Sequence, residues 1–478
     1  GLGGWFERLA ARAAELPVLR GELDLEFHRG VLTTHHDVKA RNAALERALA
    51  GAEQLGAWAL ALHASPLFLD EFRARLREAW EIVLRAQFHD VLPGTAIAPV
   101  YADALAEYDQ ADSLVAQAVE SARAALPQST LAPQERAVAP QRDGTAHRLE
   151  NAALAARVLD DGTLVELRVA GGPNLVLRAN LLRAYADHPK QWDAWNLDRS
   201  YRRHPLPVRS DSCQLFDDGL EVRYRIGKQS LAVARVALRE NEAFLRVDLA
   251  VDWRERHAIL RCENELALRD ARARFGSPHG SLERPVRPRG RAERAKFEAC
   301  GQRFACVDGR GVAGNERAGV ALLTLDTYGW SLAPARGGVA LGHSLLRAPT
   351  WPHREADRGE HVLSYAFVPF GRLELGALER IWERYALAPA LAMFDCDDPA
   401  IFIAATKAAD DGDGVVVRAR ECDGMPREAA IRCAARAREA LCVDALERPL
   451  EGEAELRDGA IHVRFEPYQL RSFRVRLW

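Results

Sequence analysis

Lysine is scarce in this sequence, with one residue each at positions 39, 190, 228, 296 and 407, and arginine carries almost all of the positive charge. The 65 basic residues against 68 acidic ones leave a formal net charge of −3, so no overall field favours nucleic acid or a membrane surface. With alanine abundant, the lysine deficit reads as a GC-rich coding bias rather than an arginine-rich binding face. Long apolar runs are also missing. AWALALHA (57–64) falls well short of the roughly 20 residues a membrane span needs. The eight cysteines (213, 262, 300, 306, 396, 422, 433 and 442) form no CxxC and have no histidine at finger spacing. So few in 478 residues exclude a disulfide scaffold and predict free thiols in a reducing compartment, the cytoplasm. No G-x-G-x-x-G opens a helix, and neither a Walker loop nor a G-x-S-x-G elbow occurs. The start shows no signal-peptide pattern, and Gly1 in place of Met predicts a piece of a longer protein.

A hydrophobic fraction of 48% with 28% charged residues is that of a globular chain, and its length predicts two to four domains. WFERLAARAAEL reads as helix. In GELDLEFHRG, Leu23, Leu25 and Phe27 alternate with acids as in a short strand without a sequence-near partner, the tail of a sheet that began earlier. From Val38 to about Ala125 the period turns helical. Asp37 stands where an N-cap would be, ahead of Leu45, Leu49, Ala52, Leu55, Trp58 and Leu62. Ser65-Pro66 breaks the run, and Phe72, Leu76, Trp80, Val83, Leu84 and Phe88 mark a second helix. After Pro93-Gly94 a third carries Val100, Leu105, Tyr108, Leu114, Val115, Ala118, Val119 and Ala122. The spacing predicts an antiparallel three-helix bundle. Residues 127–146 read as a linker. Beyond it alternation dominates, as in LRVDLAVDW (245–253), punctuated by turn signals at Asp161-Gly162, Asp218-Gly219, Asp308-Gly309 and Asp458-Gly459. The loop ADDGDG (409–414) lacks the spacing of an EF-hand and reads as a solvated turn.

Chemistry is sparse. His35-His36, a pair just before a helix, reads as a solvated cap, and His28 as structural. In RAQFHDVLPGTAI (85–97), His89 and Asp90 stand at a helix end that Pro93 and Gly94 stop. An imidazole held there by Phe88 and Trp80 would be a good zinc ligand, but a metal needs three or more ligands and the helical region supplies no others. Asp193 and Trp195 in WDAWNLD could hydrogen-bond and stack on a sugar, or be a buried Trp with a charged neighbour. Arg347, Asp357 and His361 suit either a loop reaching a site or loop-pinning.

GELDLEFHRGVLTTHHDVKARN, then QFHDVLPGT, resembles the family 38 glycoside hydrolases, the retaining α-mannosidases, and their bacterial and cytosolic branch in particular. The resemblance continues through LENAALAARVLDDGTL (149–164), WDAWNLD (192–198), VDWRERH (251–257), GSLERP (280–285) and LLRAPTWPHREADRGEH (345–361), and so covers the whole chain. It implies an α+β multidomain chain. Residues 1–34 would be the C-terminal end of a (β/α)7 catalytic barrel, 35–126 a three-helix middle domain, 127–146 a linker, 147–395 a large all-β sandwich (a supersandwich) and 396–478 a smaller one. It implies zinc, or a similar divalent ion, with His89 as one metal ligand and Asp90 as a substrate contact, the nucleophile and acid/base lying outside this chain. The reaction would be removal of terminal α-linked mannose from oligosaccharides, and assembly into homo-oligomers is a family habit. The isolated chain is then expected neither to hold zinc tightly nor to cleave mannosides. The rival is a non-catalytic carbohydrate-binding or scaffold protein built from the same sandwiches.

Overall fold

The structure is a computed structural model that describes residues 1–18, 22, 27–127, 135–312, 316–372, 374–387, 392–452 and 454–478. The strand expected at 22–30 falls mainly on residues 23–26, outside the described residues.

A first helix, α1 (Leu2–Ala10), buries none of its residues and exposes Leu2, Trp5 and Phe6. Then come α2 (His36–Ala61), α3 (Pro66–Ala86) and α4 (Ala98–Ala125). Ser65 starts α3 by accepting the Phe68 N–H on its Oγ, with Pro66 at the tolerant first position. Leu45, Leu49, Leu55, Phe72, Leu76, Val83, Tyr108 and Val115 meet in the bundle core. Ala111, Ala118 and Ala122 of α4 are buried in the same core, with Leu105 and Leu114 half-buried against it. Leu84 and Phe88 leave the expected stripe and are exposed. Leu84 lies one residue, about 100°, from the buried Val83, and Phe88 lies past the helix end.

The N-terminus of α2 departs from the sequence reading. Its N-cap is His35, in a left-handed conformation, and Asp37 sits inside the first turn. The orphan amides are capped from 322 and 321 residues away in sequence. Asp357 Oδ2 accepts from His35 N–H and Oδ1 from His36 N–H, each at 2.6 Å. An anion at a helix N-terminus is favoured by the exposed N–H groups and by the dipole.

The remainder is β. A ten-stranded and a nine-stranded sheet enclose one core around Trp253, Trp330, Phe275 and Phe367. Two four-stranded sheets enclose a smaller one around Ile401, Val417, Ile431, Ile461 and Phe473. Every pairing between these strands is antiparallel. The segment read as a linker already forms a strand at Gln141–Asp143, paired with Ala146–Glu150. Phe394–Cys396 pairs within the smaller sandwich. Leu245–Trp253 alternates buried with exposed or half-buried residues, as its sequence suggests. The chain on either side of Pro467 crosses from one small sheet to the other. Asp458-Gly459 makes a tight hairpin with both residues at positive φ, 51° and 75°. Asp308-Gly309 is no turn. It lies within the strand Phe304–Gly311, where a Cβ on Gly309 would come 2.5 Å from the Arg269 carbonyl oxygen. In ADDGDG, Asp410, Asp411 and Asp413 pair with Lys407, Arg474 and Arg476. Among the described residues no helix is long and apolar enough to cross a membrane.

Candidate metal and substrate site

Helix α3 ends at Ala86, and residues 87–97 are a compact double turn, so His89 and Asp90 stand just beyond the helix. The turn is closed by Val91 N–H and Leu92 N–H to Phe88 O, Gly94 N–H to Val91 O, and Thr95 N–H to Asp90 O at 3.2 Å. Asp90 is further fixed by Thr95, whose Oγ1 donates to Asp90 Oδ1 at 3.1 Å. Tyr101 OH reaches Asp90 O at 3.5 Å and itself accepts from Ala96 N–H.

Helix α2 holds this turn from beneath with polar groups three and four residues apart. Lys39 Nζ donates to Leu92 O at 2.8 Å and also to Thr34 O. Gln87 Nε2 donates to Asn42 Oδ1 at 3.1 Å and to Glu46 Oε1 at 2.7 Å. Burial pulls Lys39 down to about 8, against the opposing pull of Asp357 and Asp37. Gly94 adopts φ +91°, and a Cβ there would meet Thr34 O at 2.6 Å. Gly94 was visible in the sequence as a helix stop, but Lys39, Asn42, Glu46 and Thr34 were not singled out. The signal was a polar stripe at 39, 42 and 46 along a helix whose other face carries Leu45 and Leu49.

The result is an anchored turn with an exposed tip. The His89 side chain is 77% exposed and Asp90 49%, with Nε2 and Oδ2 3.4 Å apart. Phe88 lies 4.2 Å from the His89 ring, centroid to centroid, but is itself exposed. Trp80, expected to steady the imidazole, donates instead to Glu53 Oε1 at 2.8 Å. Of metal donors, this tip offers one imidazole and one carboxylate. Among the described residues the single group of three His, Cys, Asp or Glu donors close enough to share an ion lies elsewhere. The residues present at His89 do not by themselves fit a zinc ion.

Asp193 and Trp195 are brought together with the 350–352 loop rather than with His89. Asp193 Oδ2 accepts from Thr350 N–H at 2.7 Å and Trp351 N–H at 3.2 Å, and Oδ1 is buried 3.6 Å from His257 Nδ1. Oδ2 is spent on the loop and Oδ1, though without a hydrogen-bond partner, is buried, so neither oxygen is presented to a ligand at the surface. Trp195 is half-buried, 5.3 Å from the exposed ring of Trp351.

Arg347 is fully buried and its guanidinium is saturated. Nε donates to Asp187 at 2.6 Å, Nη1 to Thr34 Oγ1 and Ala194 O, and Nη2 to Asp193 O and Asn196 O. It pins the chain entering α2 onto the large sandwich. The pair His35-His36, expected to be solvated, is buried. His35 bonds Asp37 and His353 and stacks on Tyr101 at 3.7 Å; His36 meets His361 at 3.2 Å and Asp326 at 3.4 Å. Burial lowers the His36 pKa, but the Asp326 charge and hydrogen bond outweigh it and leave it raised. Asp357 and His361 therefore pin structure, as one of the two readings had it.

The chain is thus a three-helix domain joined to antiparallel sandwiches, with an imidazole–carboxylate tip exposed on the helical domain. Residues 26–126 match the alpha-mannosidase middle domain and residues 149–355 the glycosyl hydrolases family 38 C-terminal domain. The chain belongs to glycosyl hydrolase family 38, of which it holds the middle and C-terminal portions. It is 26% identical to human alpha-mannosidase 2C1 across 99% of its own length and 52% of the human chain. It is equally identical to the alpha-mannosidase of Saccharomyces cerevisiae over 74% of its length and 36% of that chain. The chain thus spans about half the length of the curated relatives it matches best in extent. The crystal structure of an alpha-mannosidase from Enterococcus faecalis V583 shares the fold, with a TM-score of 0.74 at 12% identity, over 98% of this chain and 71% of that one.

Proposed function

We propose that this chain is the middle and C-terminal part of a retaining exo-α-mannosidase that removes terminal α-linked mannose from oligosaccharides. The observation that carries the reading is the anchored turn at 87–97, which spends its backbone and Lys39 on rigidity while leaving His89 and Asp90 exposed at its tip. A site that must meet groups from another domain needs that combination of a fixed backbone and free side-chain ends.

His89 is the chain's contribution to the zinc site and Asp90 its contact to sugar hydroxyls. With Oδ1 held by Thr95, Asp90 keeps Oδ2 for a hydroxyl donor. A single carboxylate beside an imidazole cannot supply both the nucleophile and the acid/base that retaining hydrolysis needs about 5 Å apart. The 478 residues alone are therefore inactive, and no catalytic step is assigned to them. The apolar face of α1 supports the same reading, since Leu2, Trp5 and Phe6 have nothing covering them among the described residues. The eight free cysteines support a reducing compartment, the cytoplasm.

The test is glycoside hydrolysis by the polypeptide encoded by the complete reading frame, beside the 478-residue chain. Aryl α-mannoside should be cleaved by the former alone, with retention, in preference to the β-mannoside and α-glucoside. Turnover by the 478-residue chain, or absence of α-mannosidase activity in the complete polypeptide, contradicts the proposal.

A further inference from the structure

The group of three donors noted above lies in the large sandwich. His147 sits in the strand Ala146–Glu150 and Asp160 just after the strand Leu154–Leu159, in the ten-stranded sheet. Cys213 sits in Val208–Phe216, the edge strand of the nine-stranded sheet. The cluster thus joins the two sheets. His147 Nε2 is 2.7 Å from Asp160 Oδ1 and 3.8 Å from Cys213 Sγ, and all three donor atoms lie within 4.8 Å of one another. The His147 ring is buried, and its Nδ1 has no hydrogen-bond partner, so the imidazole's polar contacts are all made through Nε2 into this cluster.

We infer that His147, Asp160 and Cys213 form a binding site for a zinc-like divalent cation. Tetrahedral bonds of about 2.0–2.3 Å to N, O and S place ligand atoms roughly 3.3–3.6 Å apart. The Nε2–Sγ separation already approaches that. The Nε2–Oδ1 pair must open by about half an ångström, which the exposed Asp160 allows. Arg142 stands 3.7 Å from Oδ2, the other oxygen, and can stay there while Oδ1 takes the ion. The imidazole–thiolate–carboxylate set suits zinc and rejects magnesium and calcium, which take oxygen donors. Coordination replaces the thiol proton, which leaves to solvent, and the thiolate and carboxylate together neutralise the divalent charge. A water completes the fourth position. The ion would clamp the two sheets at their open end, a structural rather than catalytic role.

The 478-residue chain, stripped with a chelator and titrated with Co²⁺, should bind one ion with thiolate-to-cobalt absorption, which Zn²⁺ then displaces. Zn²⁺ should also raise the melting temperature. Cys213→Ser should abolish the absorption and the stabilisation, Asp160→Asn should weaken binding at least about tenfold, and His89→Ala should change neither. No thiolate absorption, its survival in Cys213→Ser, or unchanged affinity in Asp160→Asn would overturn the inference.

Discussion

Asp357→Asn removes half of the cap that starts α2. The side chain keeps one oxygen for one amide but turns an N–H₂ toward the other, so two donors face each other at 2.6 Å. A hydrogen bond to a charged acceptor contributes about 1.5–3 kcal/mol, and the loss of an N-cap costs about 1 kcal/mol. The surviving bond also loses its charge, and the anion no longer opposes the helix dipole. Together these give a cost of about 3 kcal/mol for the first turn of α2. Asparagine tolerates the φ of 58° at this position, so backbone strain does not enter. Asp357→Ala adds about 1–2 kcal/mol from that strain. The chain has several cores, so a global melt would blur the effect. Hydrogen exchange of a peptide covering residues 34–45 reads it locally. In Asp357→Asn the protected first-turn amides should exchange roughly a hundredfold faster, with the smaller sandwich unaffected. Exchange rates within twofold of the native chain would refute the assignment of Asp357 as the cap.

Arg347→Lys cannot serve Asp187, Thr34 and three backbone carbonyls at once. It should cost about 3–5 kcal/mol, seen as a lowered thermal midpoint; an unchanged midpoint contradicts the pinning role. Gly94→Ala forces a Cβ against Thr34 O at positive φ and should destabilise the His89–Asp90 turn by on the order of 2 kcal/mol, measurable by exchange of residues 87–97. His343 is stacked on Trp330 at 4.0 Å, and burial first, then Arg261, push it down to about 3 from 6.5. A histidine whose folded pKa is depressed binds fewer protons folded than unfolded, so its contribution is lost as pH falls from 6.5 toward 3. Relative to His343→Phe, the native chain should lose up to about 1.4 kcal/mol per pH unit over that window in denaturant titrations; a pH-independent difference contradicts it.

The three helices and the sandwiches were legible because hydrophobic periods of 3.6 and 2 are local properties. What was illegible depends on contacts between distant residues. Nothing near His35 announces that its amide is capped by Asp357, and without that partner Asp37 looked like the cap. The same partner, with Asp326, His353 and His361, buries a histidine pair that alone reads as solvated. Asp308-Gly309 imitates a turn because glycine also serves where another backbone comes close. At the candidate site, the residues proposed to carry chemistry, His89 and Asp90, stand in the family motif. The Lys39–Asn42–Glu46 stripe that holds them was visible only as a polar interruption of a helix. Asp193 shows the converse: an aromatic neighbour makes it resemble a sugar ligand, whereas its Oδ2 holds the Thr350 and Trp351 amides and its Oδ1 is buried.

His89 is proposed as a metal ligand of an α-mannosidase whose other site groups lie outside this chain. The most direct measurement is kcat/KM for an aryl α-mannoside with the complete polypeptide, native against His89→Ala, at saturating zinc. Since loss of even outer partners of metal ligands costs about 10–100-fold, loss of the ligand itself should cost at least about a hundredfold, with the fold unchanged by circular dichroism. Activity of the His89→Ala protein within a few-fold of the native value would contradict the account.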